Sequence, residues 1–256
     1  MLRLGFVGTG ALSEAVVKGL QSLPGQRQPI LLSPRSAAIS TALAAAYPLV
    51  TRAESNQEVV DGSDIVFLAV LPRQLREVAT SLRFRPEQTV ISLVAGVMLA
   101  ELADYVAPAR TICRAIPLPP IRFKRGPILL YPQIEPALSV MAPLGDVVPL
   151  DSEAAMVKLT SATALMSSFF EAQNTVVHWL RTQGLEEGTT TSFVRSLFDG
   201  LSTLAQHEEQ AGHPLIPAEH ETKGGLNESV RRYLLDKGWF AELQAALDHV
   251  ARHRLT

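Results

Sequence analysis

Leu2-Arg3-Leu4-Gly5-Phe6-Val7-Gly8-Thr9-Gly10-Ala11-Leu12-Ser13 is a short apolar run, a Gly-x-Gly turn and the start of an amphipathic segment. Read in that order, it predicts a strand, a tight turn and a helix N-terminus. Such a unit binds a pyrophosphate: the helix aims free N–H groups and the positive end of its dipole at the anion. Gly8 lets the backbone turn sharply, and Gly10 leaves room for close approach of a phosphate. Ser13 is small enough for tight helix–strand packing. The position of the motif, directly between strand and helix, is what separates it from an ordinary glycine turn.

Working outward, apolar strand candidates follow at Pro29–Ser33, Asp64–Ala69, Gln88–Ser92 and Arg110–Ile116. Helical patterns lie between them at Ala11–Leu20 and Arg35–Ala46, and another begins at Pro72, a favourable first helical residue. This alternation predicts an α/β fold: a Rossmann-type, doubly wound parallel sheet with helices on both faces. Ile65-Val66-Phe67-Leu68-Ala69-Val70 is continuously apolar, as a strand covered on both sides must be.

The pattern changes near residue 150, after a segment punctuated by prolines from Pro117 to Pro149. Asp151 or Ser152 is placed to cap a helix ahead of Glu153. Leu159, Thr163, Met166, Phe169, Phe170 and Val177 predict one long helix. Further helices are expected over Thr189–Gln210, from Gly224-Gly225-Leu226 to Gly238, and over Phe240–Arg252. The expected domains are therefore residues 1–150, binding a dinucleotide, and 151–256, an all-α dimerisation and substrate domain. So many apolar residues in that half predict burial against a second copy, hence a homodimer.

Composition narrows the function classes. The 256 residues are 47% hydrophobic and carry a formal charge of −2, which gives no electrostatic basis for binding nucleic acid or a membrane surface. No apolar run approaches the ~20 residues that span a bilayer. The first strand begins at residue 2, which leaves no room for a signal peptide, and a reducing cytoplasm is the expected compartment. The single cysteine, Cys113, reads as a buried strand residue, not a nucleophile.

The end of the second predicted strand distinguishes the two nicotinamide dinucleotides. A carboxylate about twenty residues after the glycines would bind the ribose 2′-hydroxyl of NADH. Here Leu31-Leu32-Ser33-Pro34-Arg35-Ser36 has none. Ser33, Arg35 and Ser36 offer a guanidinium and two hydroxyls, which suit a 2′-phosphate, so NADPH is the expected cofactor.

Several segments together resemble the pyrroline-5-carboxylate reductases, within the wider 6-phosphogluconate and β-hydroxyacid dehydrogenase-like superfamily. They are Gly8–Ser13, Asp64-Ile65-Val66-Phe67-Leu68-Ala69-Val70-Leu71-Pro72, Ile91-Ser92-Leu93-Val94-Ala95-Gly96, and Arg114-Ala115-Ile116-Pro117-Leu118-Pro119 before Gly126. The resemblance implies a dinucleotide domain followed by a helical dimerisation domain. It also implies hydride transfer from NAD(P)H to the C=N carbon of a cyclic imino acid. By the same resemblance Gly8, Gly10, Ala11, Leu12, Ala69, Val70, Leu71, Ala95 and Pro117 line the cofactor.

The departures fall at the substrate end. Where the family has Met-Pro-Asn-Thr-Pro, this chain has Ile116-Pro117-Leu118-Pro119-Pro120, so an amide is replaced by Leu118. Its Val-Lys-Pro becomes Val70-Leu71-Pro72. The family segment Ser-Gly-Ser-Gly-Pro-Ala-Tyr has no copy in Leu159–Leu165. The threonines that follow a glycine pair in the family are absent from Glu221-Thr222-Lys223-Gly224-Gly225-Leu226-Asn227. A rebuilt substrate pocket is expected.

Imine reduction needs a held hydride donor, an oriented substrate and a protonated nitrogen. In this chain the substrate-side candidates are Thr222, Gly224, Gly225 and Asn227. Lys223 and Asn227 are polar enough to act at the reacting centre, and His220 and Glu221 are candidate proton carriers. No metal is expected: His207, His213 and the nearby glutamates have no ligand spacing. Trp239-Phe240 reads as a hydrophobic anchor and Tyr131 as a packing residue. Two other readings remain. One is a carbonyl reductase of β-hydroxyacid type, in which Lys223 and Asn227 would share a helix. The other is an NADPH-binding sensor without turnover.

Overall fold

The computed structural model describes residues 2–25 and 27–254. They form an 8-stranded sheet and a set of helices. The strands are β1 (Leu4–Val7), β2 (Ile30–Leu32), β3 (Val50–Arg52), β4 (Ile65–Leu68), β5 (Thr89–Ser92), β6 (Thr111–Pro117), β7 (Pro127–Tyr131) and β8 (Asp146–Val148). Their order across the sheet is β3-β2-β1-β4-β5-β6-β7-β8. From β3 to β6 every pairing is parallel, β7 runs antiparallel to β6, and β8 is parallel to β7. The chain order reverses between β1 and β4, and the crevice for a ligand opens there, beyond the C-terminal ends of the strands.

The helices of this first unit are α1 (Ala11–Gln21), α2 (Ala37–Ala46), α3 (Asn56–Asp61), α4 (Pro72–Thr80), α5 (Leu99–Tyr105), α6 (Glu135–Met141) and α7 (Glu153–Ala162). Alternate side chains of each central strand enter two separate cores. Leu4, Phe6, Ile65 and Phe67 join one with Val16, Leu20 and Leu43. Val7, Val66, Leu68 and Val90 join the other with Val59, Leu75 and Leu102. This is why β4 is apolar at every position: each face has its own layer of helices. The rings of Phe6 and Phe67 stack at 4.5 Å across the β1–β4 pair. Full burial of such a side chain contributes about 1.5–3 kcal/mol.

The link from β6 to β7 explains the one antiparallel pairing. A parallel return needs a crossover helix. Here Pro119 and Pro120 start a short 3₁₀ turn, Pro119–Phe123, and Lys124 and Gly126 then take positive φ, so the strand folds straight back. Helix α1 lies against this turn so closely that a Cβ on Gly19 would stand 2.8 Å from the Ile121 carbonyl oxygen.

The second unit contains α8 (Leu165–Thr182), α9 (Glu187–Gln210), α10 (Leu226–Asp236) and α11 (Trp239–Arg254). The chain divides at Thr160/Ser161, not at residue 150. Glu153 and Met156, early in α7, belong to the first unit because both are bound to its sheet edge. The single long helix expected from residue 151 is two helices, α7 and α8. Bonds from Ala164 N to Ser161 O and from Met166 N to Thr163 O tighten the backbone between them. The apolar periodicity runs through that break, so the pattern does not reveal it. Arg195 of α9 forks onto Gln173 and Asn174 of α8, with both contacts 2.6 Å.

Candidate active site

The C-terminal edge of the parallel strands collects the predicted cofactor residues. Gly8 follows β1, Ser33 follows β2, Ala69 to Leu71 follow β4, and Ala95 follows β5. Pro117 ends β6. Gly8 has φ +99°, and a Cβ there would lie 2.5 Å from the Ala69 carbonyl oxygen, so only glycine fits. Gly10 is the N-cap of α1 and supplies no side-chain cap, and a Cβ on it would meet nothing within 4 Å. The N-terminus of α1 therefore opens on free space with its first N–H groups available. That geometry fits a dinucleotide pyrophosphate.

Buried hydroxyls hold this loop. Ser33 Oγ accepts the Gly8 N–H at 3.0 Å and shares a hydrogen bond with Thr9 Oγ1 at 3.0 Å. Thr9 Oγ1 also donates to the Ser33 carbonyl, and Ser13 Oγ donates to the Gly8 carbonyl at 2.7 Å. Ser33 thus departs from expectation. Its side chain is fully buried and engaged with the glycine loop, so it positions that loop and does not reach a 2′-phosphate. Arg35 and Ser36 lie beyond the same strand end. Both are exposed, and Ser36 begins α2 in the left-handed region, φ +59°, with no side-chain cap on the helix. A second cation joins them that the sequence does not single out. Arg52, at the end of β3, donates from Nη2 to the Pro34 carbonyl at 3.2 Å. Its only sequence signal would be the register Leu32↔Arg52, which requires knowing that β3 exists.

Farther along the same edge, Arg114 of β6 is buried with 2% of its side chain exposed. Its Nη1 stands 2.6 Å from Glu153 Oε1. The same oxygen accepts the N–H of Leu99, the first residue of α5, at 2.8 Å. Cys113 is buried beside it in sequence, and burial pushes its thiol up to about 12, which makes it an inert core residue. Tyr131 packs with Ile116, Leu129, Met156 and Ala95.

The substrate-side candidates gather in one loop of the second unit, at the start of α10. Gly224 has φ +73°, and its N–H is taken by the Glu228 carboxylate. The N–H of Gly225 donates to the Thr222 carbonyl at 2.7 Å, which closes the turn. Neither glycine N–H is free for a substrate carboxylate, contrary to expectation, because the loop satisfies its own donors first. Asn227 is also engaged, its Nδ2 donating to the His220 carbonyl at 3.1 Å. Glu221 forms a two-point ion pair with Arg231, and that hydrogen-bonded guanidinium holds its carboxyl below the usual range. An anion held so firmly is not the proton carrier expected of Glu221. His220, Thr222 and Lys223 are exposed, and Lys223 has no ion-pair partner among the described residues. Lys223 lies in the turn while Asn227 lies in α10, so they do not share a helix as a β-hydroxyacid dehydrogenase pair would.

A family model described as "NADP oxidoreductase coenzyme F420-dependent" matches residues 3–96. The pyrroline-5-carboxylate reductase of Pseudomonas aeruginosa is 27% identical over 177 residues, covering 66% of this chain and 64% of that protein. That of Escherichia coli is 36% identical over 132 residues, covering 48% of this chain and 47% of that protein. Among solved structures, the enzyme from Streptococcus pyogenes superposes with a TM-score of 0.80 at 20% identity, over 99% of this chain and 98% of its own. The Plasmodium falciparum pyrroline carboxylate reductase, solved with NADP bound, gives 0.79 at 15% identity over 99% and 97%. The chain is similar in sequence to pyrroline-5-carboxylate reductases and shares their fold.

The sequence matches to these two curated relatives span less than two thirds of their length, whereas the fold likeness covers both units. Leu118 stands half-buried at the head of the 3₁₀ turn, the position at which the resemblance leads one to expect an amide. Among the described residues no helix is long and apolar enough to cross a membrane.

Proposed function

We propose that this chain belongs with the pyrroline-5-carboxylate reductases it resembles and is an NADPH-dependent reductase of the C=N bond in a small carboxylated imine. We further propose that its substrate pocket is more apolar than that of its proline-forming relatives. The observation that carries the reading is the open, uncapped start of α1 at Gly10. It faces the crevice where the strand order reverses, in a chain similar to pyrroline-5-carboxylate reductases. Bound NADPH supplies the hydride. The residues of the chain bind and orient. The first N–H groups of α1 hold the pyrophosphate, while Arg35, Ser36, Arg52 and the uncapped start of α2 take the 2′-phosphate. Ala69, Val70, Leu71, Ala95 and Pro117 line the dinucleotide on the edge of the strands.

An iminium ion is already a strong electrophile, so the site needs no dedicated acid. The engagement of Glu221 and Asn227 inside their own loop is compatible with this chemistry. Among the described residues Lys223 is the free cation of that loop, and with Thr222 it is the proposed partner of the substrate carboxylate. The working unit is a homodimer formed through the second unit. With one buried thiol, the chain suits a reducing cytoplasm.

The cofactor preference has a direct check. Arg35→Ala is expected to weaken NADPH binding about tenfold or more, as follows from removing one charge-assisted hydrogen bond of about 1.5–3 kcal/mol. NADH binding should stay nearly unchanged. Equal losses for both cofactors in calorimetric titration would remove Arg35 from the 2′-phosphate site.

A further inference from the structure

We infer that Glu153, paired with Arg114, is a positioning residue that sets the loop receiving the nicotinamide half of the cofactor; this rests on the NADPH reading above. One carboxylate oxygen joins three segments of the strand edge. It lies 2.6 Å from Arg114 Nη1 on β6 and accepts Leu99 N–H at 2.8 Å, and it stands on the first turn of α7. Leu99 closes the loop that leaves β5 at Leu93 and carries Ala95 and Gly96. One helical turn along α7, Met156 is fully buried and packs in the cluster that includes Ala95 and Ile116. Thus α7 holds that loop by a polar contact at one end and an apolar contact in the middle. Gly96, with φ +82° and open space where a Cβ would stand, faces outward between them.

The placement along the sheet gives the pair its role. In this strand order β1 to β3 serve the adenosine half of a dinucleotide and β4 to β6 the nicotinamide half. Arg35 and Arg52 stand on the first half, the Leu93–Met98 loop on the second. A buried ion pair is weak as a source of stability, because desolvation offsets most of the attraction. What it does well is fix geometry. Arg114 Nη1 also approaches Met98 Sδ at 3.8 Å, while its Nε is buried without a partner among the described residues. The guanidinium is therefore oriented by Glu153, and Glu153 in turn orients the backbone of Leu99.

The test compares two ligands on the full chain by calorimetry. NADPH spans both halves of the site, whereas 2′,5′-ADP occupies the adenosine half alone. Glu153→Gln is expected to weaken NADPH about tenfold, the effect of removing one charge-assisted hydrogen bond, and to leave 2′,5′-ADP unchanged. Glu153→Asp, which keeps the charge but shortens the reach, should recover only part of the NADPH affinity. Equal weakening of both ligands, or no change in either, would overturn the inference. If Glu153→Gln does not fold, Arg114→Met/Glu153→Gln replaces it with the same two outcomes, since it strands no buried charge. A wild-type chain that binds neither ligand would instead overturn the cofactor reading.

Discussion

Gly10→Val is expected to yield a folded protein that no longer binds NADPH. The N-cap position has extended backbone angles, φ −89° and ψ −173°, which valine adopts without strain. A Cβ there meets no atom within 4 Å, so nothing in the protein is displaced. Replacing Gly by Val at an N-cap should cost about 1 kcal/mol of stability. The new side chain instead fills the space in front of the first N–H groups of α1. Losing two charge-assisted hydrogen bonds of about 1.5–3 kcal/mol each predicts a fall in affinity of about a hundredfold or more. Gly8→Ala should behave differently. Its Cβ would collide with the Ala69 carbonyl at 2.5 Å, and its φ of +99° is unfavourable for alanine. That variant should lose thermal stability as well as binding. Wild-type NADPH affinity in a folded Gly10→Val protein would show that the pyrophosphate lies elsewhere.

The second large effect is on assembly. Helix α9 carries two apolar stripes about one residue apart in phase. Thr190 and Val194 on one stripe are buried. Phe193, Leu197, Leu201 and Leu204 on the other are 40–58% exposed. Leu226, Val230 and Tyr233 make a similar stripe on α10, each at least 60% exposed. In the proposed homodimer this continuous apolar surface is the face that a second copy would cover. Leu197→Glu/Leu201→Glu removes two side chains worth about 1.5–3 kcal/mol each on burial and adds two charges. The expected result is a monomer by sedimentation velocity at micromolar concentration, against an expected dimer for the wild-type chain. A wild-type monomer, or a double variant that still dimerises, would contradict this assignment of the face.

The strand-edge residues are legible in the sequence because their signals are local. Gly8 and Gly10 follow a strand and precede a helix within one short stretch. The missing carboxylate near Arg35 is equally local. What is not legible depends on long-range partners. Nothing in Ser33 itself says that its hydroxyl points back at Gly8, since that bond joins residues on different strands. Strand β3 has one buried side chain in Val50-Thr51-Arg52, too little for a periodic signal, so nothing marks Arg52. Glu153 reads as an ordinary first-turn acid until the fold brings Arg114 and Leu99 to it. The substrate loop shows the converse error. Gly224, Gly225, Glu221 and Asn227 read as available because residue types show what chemistry a group can do. Only the structure shows those groups binding one another.

Hydride transfer can be followed from NADPH deuterated at the donor position of its nicotinamide. The substrates would be cyclic and linear imino acids, with the matching keto acids as controls. The expected outcome is NADPH oxidation with a carboxylated imine, deuterium at the former C=N carbon, and a poorer rate with pyrroline-5-carboxylate than with a bulkier, more apolar imino acid. Turnover of keto acids alone would establish a carbonyl reductase. Tight NADPH binding without oxidation by any imine would establish a sensor. Either result contradicts the account.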